Sequence, residues 1–172
     1  MHYKFLSIKL KNSARFQSGV AVVEFAIVLI PLLLVVAGVV EFGRTFWYYD
    51  ALAKATRDGA RLMSMADKDA IATAMNDAED LVVYVVGING ANVSPTLTSG
   101  NVQVQCLNAS YVSQACTDGL APVHVRVSIV NFSVDIGDWI PFITESGVTG
   151  WNDIALTPST TMRYLCTGIG SC

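Results

Sequence analysis

The stretch from Val20 to Val40 constrains this chain more than any other. It holds about 21 residues with a single ionisable side chain, Glu24. As a helix rising 1.5 Å per residue it reaches roughly 30 Å, the thickness of a bilayer's hydrocarbon core. A run this long and this apolar predicts a membrane-spanning helix. Lipid offers the Glu24 carboxylate neither water nor a partner, and an acid near the end of such a segment is a candidate functional group.

Composition leaves room for little besides this segment and one small domain. The chain is 52% hydrophobic and 15% charged over 172 residues, with a mean hydropathy of +0.47. That is too apolar for an ordinary soluble domain, and one membrane segment accounts for most of the excess. The chain beyond residue 65 is near the lower end of the lengths that build their own core. Lys4, Lys9, Lys11 and Arg15 precede the apolar run, and no acid precedes Glu24. Removing those four from the 11 basic residues leaves 7 against 14 acidic ones, net −7. Such a remainder lacks the clustered Lys and Arg that nucleic acid requires. The expected organisation is a basic leader over 1–19, a transmembrane helix over 20–42, its extracytoplasmic continuation over 43–66, and a small α+β domain over 67–172.

Charge alone leaves the orientation open. The basic leader favours a cytoplasmic N-terminus, but Arg44, Lys54, Arg57 and Arg61 come after the span at comparable density. Cys106, Cys116, Cys166 and Cys172 break the tie. They are an even set, all beyond the membrane, in a small domain that benefits from covalent staples, and they argue for an oxidising compartment. Of the three possible pairings, Cys106 with Cys116 and Cys166 with Cys172 close the shortest loops. Four reduced, buried thiols are the alternative. Metal binding is disfavoured, because there is no C-x-x-C and His124 is the only nearby histidine.

A removable signal peptide is a competing reading of the N-terminus, with Val35-Val36-Ala37 as a small-residue cleavage site and a new N-terminus near Gly38. The apolar run is longer than the 7 to 15 residues usual for a signal's core, and Glu24 weakens it further.

Helical periodicity continues past the membrane. Phe42, Phe46, Trp47, Tyr48 and Tyr49 form an aromatic group of the kind that settles at a bilayer interface. Leu52, Ala55, Gly59, Leu62, Met63 and Ala66 then recur at steps of three and four, with Asp50–Lys54 and Asp58–Arg61 placed for intrahelical ion pairs. One helix is therefore expected from about residue 18 to about 65, roughly 70 Å long. Ala51, Ala55 and Gly59 form a small-residue stripe that admits another backbone, from either a second protein or this chain's own domain. Asp67-Lys68-Asp69 reads as a break and N-cap.

A second helix comes next, with Ile71, Met75, Ala78, Leu81, Val82 and Val85 on one face, fading at Gly87-Ile88-Asn89-Gly90. Period-2 alternation then predicts strands over 101–105 and 123–129, and a third over 154–165 in which Pro158 indicates an edge or a bulge. The apolar loop 137–144, with Trp139 and Pro141, is expected to cover the sheet edge. The fold class is thus α+β: a long N-terminal transmembrane helix continuing outside the membrane, a second helix, then a small antiparallel sheet.

The residues do not describe an enzyme. There is no G-x-S-x-G, no Cys/His pairing and no His–carboxylate metal cluster, and Gly87-Ile88-Asn89-Gly90 lacks the third glycine and following helix of a nucleotide loop. His124 is the one neutral-pH base in the outer domain, and alternation puts it beside Arg126 on the polar side of its strand. No cofactor is expected.

A basic leader ending at Gly19, an acid five residues on at Glu24, an aromatic at Phe25 and an apolar helix resemble the processing site of type IV pilins and pseudopilins. Gly19-Val20-Ala21-Val22-Val23-Glu24-Phe25-Ala26, Pro31-Leu32-Leu33-Leu34, Glu41-Phe42-Gly43-Arg44 and Ala55-Thr56-Arg57-Asp58-Gly59-Ala60-Arg61, in that order, resemble the TadE-like pseudopilins of the tight-adherence (Flp) pilus machinery. The resemblance covers roughly residues 15–65. The family's usual Glu-Tyr is Glu24-Phe25 here, which keeps the ring and loses the hydroxyl.

The resemblance implies cleavage after Gly19 by a prepilin peptidase on the cytoplasmic face of a bacterial inner membrane, leaving Val20 as the N-terminus and the C-terminal domain periplasmic. The implied partners are that peptidase, other pilins and pseudopilins, pilus assembly proteins of the inner membrane, and lipid. Glu24 would then meet an α-amino group, its own or a neighbour's, and set the axial register of packed helices. Snorkelling of a lone glutamate to the headgroups is the alternative. A membrane-anchored periplasmic binding module that enters no filament, and a secreted hydrolase, are the competing function classes.

Overall fold

A computed structural model describes residues 17–88, 96–136 and 151–165. Two helices, α1 (Gln17–Ser64) and α2 (Ile71–Ile88), precede six strands. These are β1 (Val102–Leu107), β2 (Ser113–Gln114), β3 (His124–Ile129), β4 (Ser133–Ile136), β5 (Trp151–Ala155) and β6 (Ser159–Arg163). The expected α+β order of a long apolar helix, a second helix and a small antiparallel sheet is what is observed. The chain divides between Val39 and Val40 into two compact units.

The first unit holds the N-terminal part of α1. Pro31 lies inside the helix without ending it. An 18-residue window of mean hydropathy 2.9 buries none of its residues. A helix apolar on every side and covered by no protein is long and apolar enough to cross a membrane.

In the second unit the same helix becomes one-sided. Tyr48, Ala51, Leu52, Ala55, Thr56, Gly59, Ala60 and Met63 are buried, at the steps of three and four that make one stripe. The stripe packs into a core shared with α2 and the sheet. A Cβ on Gly59 would stand 2.8 Å from Val82 Cγ2 and 3.4 Å from the Ala78 carbonyl oxygen. The buried face of α2 is Ile71, Ala74, Ala78, Val82 and Val86. This is rotated slightly from the expected face, and Met75, Leu81 and Val85 sit half-buried at its flank. The rotation has a physical reason: backbones approach closely only where small residues meet, so the seam runs along Ala74 and Ala78 rather than the bulkier Met75 and Leu81. The Asp50–Lys54 ion pair forms at 2.6 Å. Among the described residues Asp58 and Arg61 form none.

β2, β1, β3 and β6 make a four-stranded antiparallel sheet in that order, and β4 pairs with β5. Val102 faces Ile129, Val104 faces Val127 and Cys106 faces Val125 across β1 and β3. These six point into the core with α1 and α2, and the alternate positions Gln103, Gln105, His124, Arg126 and Ser128 point away from it. The expected third strand is two strands. β3–β6 pairing stops at Ser128 with Ser159, and β4–β5 pairing starts at Ser133 with Ala155. Pro158 sits at the joint, where it needs no N–H and its carbonyl accepts from Ile129 N at 3.0 Å. β6 is an edge strand. β2 and β4 are short and were not expected. Strand β1 begins one residue later than the alternation suggested, because Ser99–Asn101 forms a 3₁₀ turn. The loop 137–144 lies outside the described residues.

Long-range contacts close the ends of both helices. The Ser64 carbonyl, in the last turn of α1, accepts from Leu165 N at 2.7 Å, and the Ala66 carbonyl accepts from Tyr164 Oη at 2.7 Å. The expected break is a 3₁₀ turn, Lys68–Ala70, capped by Asp67. At the start of α2, Ala72 N donates to Asp118 Oδ1 at 2.9 Å, and Gly119 N donates to the Lys68 carbonyl at 2.8 Å. Gly119 has φ +82°, a conformation that suits glycine. The disulfide Cys106–Cys116 ties this capping loop to β1.

Candidate functional site

The candidate site is the first turns of α1. Gly19, Val20, Glu24 and Phe25 all lie within this helix. Val20 and Glu24 are four residues apart and so stack on one face, one turn from each other. Glu24, Val20 and Phe25 are exposed, the last two by 60% and 65%. Among the described residues nothing of this chain covers the carboxylate.

A second acid distinguishes itself only in the structure. Glu41 is buried, 4% exposed, and pairs with Arg44 at 2.9 Å. Thr45 Oγ1 donates to the Glu41 carbonyl at 3.1 Å, and the Arg44 guanidinium lies 5.9 Å from the centre of the Tyr48 ring. In the sequence, Glu41 and Arg44 carry part of the family resemblance and no role of their own. The available signal was an acid with a base three residues later within a helix. The aromatic group expected at the interface divides. Phe42, Phe46, Trp47 and Tyr49 are exposed, whereas Tyr48 turns into the core. The small-residue stripe Ala51, Ala55, Gly59 is buried in this chain's own core, with Gly59 against Val82 and Ala78 of α2 and Val127 of β3.

Among its described residues the second unit offers no reactive cluster of this kind. Cys106 and Cys116 form a disulfide with Cα atoms 5.3 Å apart, while Cys166 and Cys172 lie outside the described residues. Among the described residues there is no group of His, Cys, Asp and Glu that could hold a metal. His124 is half-buried rather than freely exposed, and stacks on Tyr111 with ring centres 4.4 Å apart. Burial, with Asp67 and Asp69 adding repulsion, pushes the Tyr164 hydroxyl above its ordinary range. The same hydroxyl donates to the Ala66 carbonyl at 2.7 Å. Burial, and then Asp80, raises the Glu79 carboxyl above the usual carboxylate range.

An apolar N-terminal helix that carries an exposed acid one turn from Gly19, and then serves as the first helix of an α+β unit, defines a pilin-like arrangement. The family model described as TadE-like protein matches residues 19–61. The resemblance carried by the four sequence blocks is borne out over that segment, which includes Gly19, Glu24, Glu41 and Gly59. Among curated proteins and among solved structures, none matches the chain.

Proposed function

We propose that the protein is a minor pseudopilin of a tight-adherence, Flp-type pilus. It is cut after Gly19 by a prepilin peptidase, held in the bacterial inner membrane by 20–42 with its N-terminus cytoplasmic, and needed to assemble the fibre. It performs no catalysis of its own. The observation that carries this reading is the family match beginning at Gly19 on a helix whose Glu24 is exposed within an otherwise apolar surface. The Cys106–Cys116 disulfide supports placing the outer unit in an oxidising compartment such as the periplasm.

Cleavage after Gly19 would create an α-amino group at Val20, one turn from Glu24. Packed against a neighbour, that amine and the carboxylate neutralise each other where neither is solvated, and the pair fixes the axial offset between helices. Gly19 suits a protease cleft because a residue without a side chain lets the backbone lie close. Two substitutions test the reading. Glu24→Ala should leave cleavage largely intact and block co-assembly with pilin, whereas normal assembly removes the register role. Gly19→Leu should leave full-length protein on a gel, and normal trimming counts against this site.

A further inference from the structure

Two surfaces of the outer unit, the outer face of α2 and the outward face of the sheet, carry opposite charge, while α1 beside α2 mixes Lys54, Arg57 and Arg61 with Asp50 and Asp58. Helix α2 contains no basic residue, and its outer surface presents Asp77 and Asp80, with Glu79 half-buried beside them and Tyr84 64% exposed. β1, β2, β3 and β6 contain no acidic residue. Their outward positions carry Arg126 and Arg163 among Gln103, Gln105, Ser128 and Thr161. Arg126 Nε donates to Thr161 Oγ1 at 3.1 Å, which holds the guanidinium on this face. Neither arginine has an acidic partner among the described residues. Because α1 and α2 cover the inner face of the sheet, the acidic helix surface and the basic sheet surface lie on opposite sides of the unit.

We propose that the basic sheet face of one copy docks on the acidic α2 face of the next copy of this chain. A cation-bearing face and an anion-bearing face back to back on one unit are complementary between identical copies. Such a head-to-tail contact leaves a pair of copies with one free face of each sign, so further copies can add, closing a ring where the rotation allows and running on as an open row where it does not. An incoming guanidinium adds an opposite charge beside Asp77, Glu79 and Asp80, and Tyr84 offers Arg126 or Arg163 a ring to stack on.

The contact is small. Four strands about 4.8 Å apart and roughly 20 Å long present less than the ~800 Å² per partner of a stable complex. It therefore forms between copies that a membrane already concentrates, and in this respect it rests on α1 acting as the anchor proposed above.

The test uses the full chain in isolated membranes. Arg126→Lys/Arg163→Lys keeps both charges and supplies amines that a zero-length carbodiimide couples to carboxylates. The expected result is a covalent dimer whose mapped amide bonds join position 126 or 163 to Asp77, Glu79 or Asp80. These positions lie on opposite sides of one unit, so the bond is between copies. Adding Asp77→Asn/Asp80→Asn should lower the yield of those bonds at least several-fold. Raising salt from about 0.1 M to about 1 M, which shortens the screening length from about 10 Å to about 3 Å, should do the same. A dimer linked only through Lys54 or Lys68, or a yield indifferent to both the Asn substitutions and salt, overturns the proposal. The N-terminus of the same samples reports separately on cleavage after Gly19, so failure of the contact and failure of the processing reading are told apart.

Discussion

Before Val40 and after it, α1 is one helix with two different surfaces. Leu33 and Leu52 are the same residue type in the same helix, yet Leu33 is 56% exposed and Leu52 is wholly buried. The first part is apolar on nearly every side and exposed among the described residues, as a helix able to cross a membrane is. The second is apolar on one stripe only, and the chain supplies the cover itself from α2 and the sheet. Hydrophobicity alone does not separate the two; its distribution around the helix does.

This contrast predicts where substitutions act. Leu52→Ala should open a cavity in the outer unit and cost about 2–5 kcal/mol of its stability. Leu33→Ala should leave that unit's denaturation unchanged. Equal losses from the two, monitored by protease resistance of the outer unit in membranes, would erase the distinction. The next largest effect is expected from Cys106→Ala/Cys116→Ala, at about 3 kcal/mol for a loop of this length. It too should leave the apolar segment untouched.

Asp118→Ala should cost about 1 kcal/mol, the usual value of a helix cap, and should do so chiefly through the start of α2. Faster amide exchange at Ala72 and its neighbours is the direct readout. Because the disulfide holds the capping loop, removing it should abolish most of the effect of Asp118→Ala, a coupling that a double-mutant cycle measures.

The smallest effect concerns Glu79. Burial first, and Asp80 second, raise its carboxyl in the folded chain above the unfolded value. The stability this contributes is fully present below the unfolded carboxylate pKa of about 4.3 and is lost as pH rises through the higher folded value. Glu79→Gln should therefore be slightly stabilising at neutral pH, by less than about 0.5 kcal/mol after solvent screening. The gain should vanish near pH 4.

Elements with a strong local period are legible in the sequence alone. The apolar span, the one-sided continuation of α1, the break at Asp67 and the alternation in β1 and β3 are all written in neighbouring residues. What the sequence hid depends on contacts between distant ones. The cap from Asp118 to Ala72 joins positions 46 residues apart, and the hydroxyl of Tyr164 reaches Ala66 across 98. β2 is two residues long, too short to show a period. Residues 154–165 read as one strand because the apolar positions continue, while Pro158 hands the chain from one pairing partner to another. Tyr48 looked like its aromatic neighbours, and only its place on the buried stripe sends it inward. For the candidate site the position is similar. Gly19, Glu24 and Phe25 stood out by spacing, whereas the burial of Glu41 beside Arg44 could not be seen without the fold.

The central claim is that this chain enters its working state when a peptidase removes the cationic segment ahead of Val20. Mass spectrometry of the N-terminal peptide from the membrane fraction tests it directly. The expected polypeptide begins at Val20. One that still begins at Met1, or that begins near Gly38, would contradict the claim.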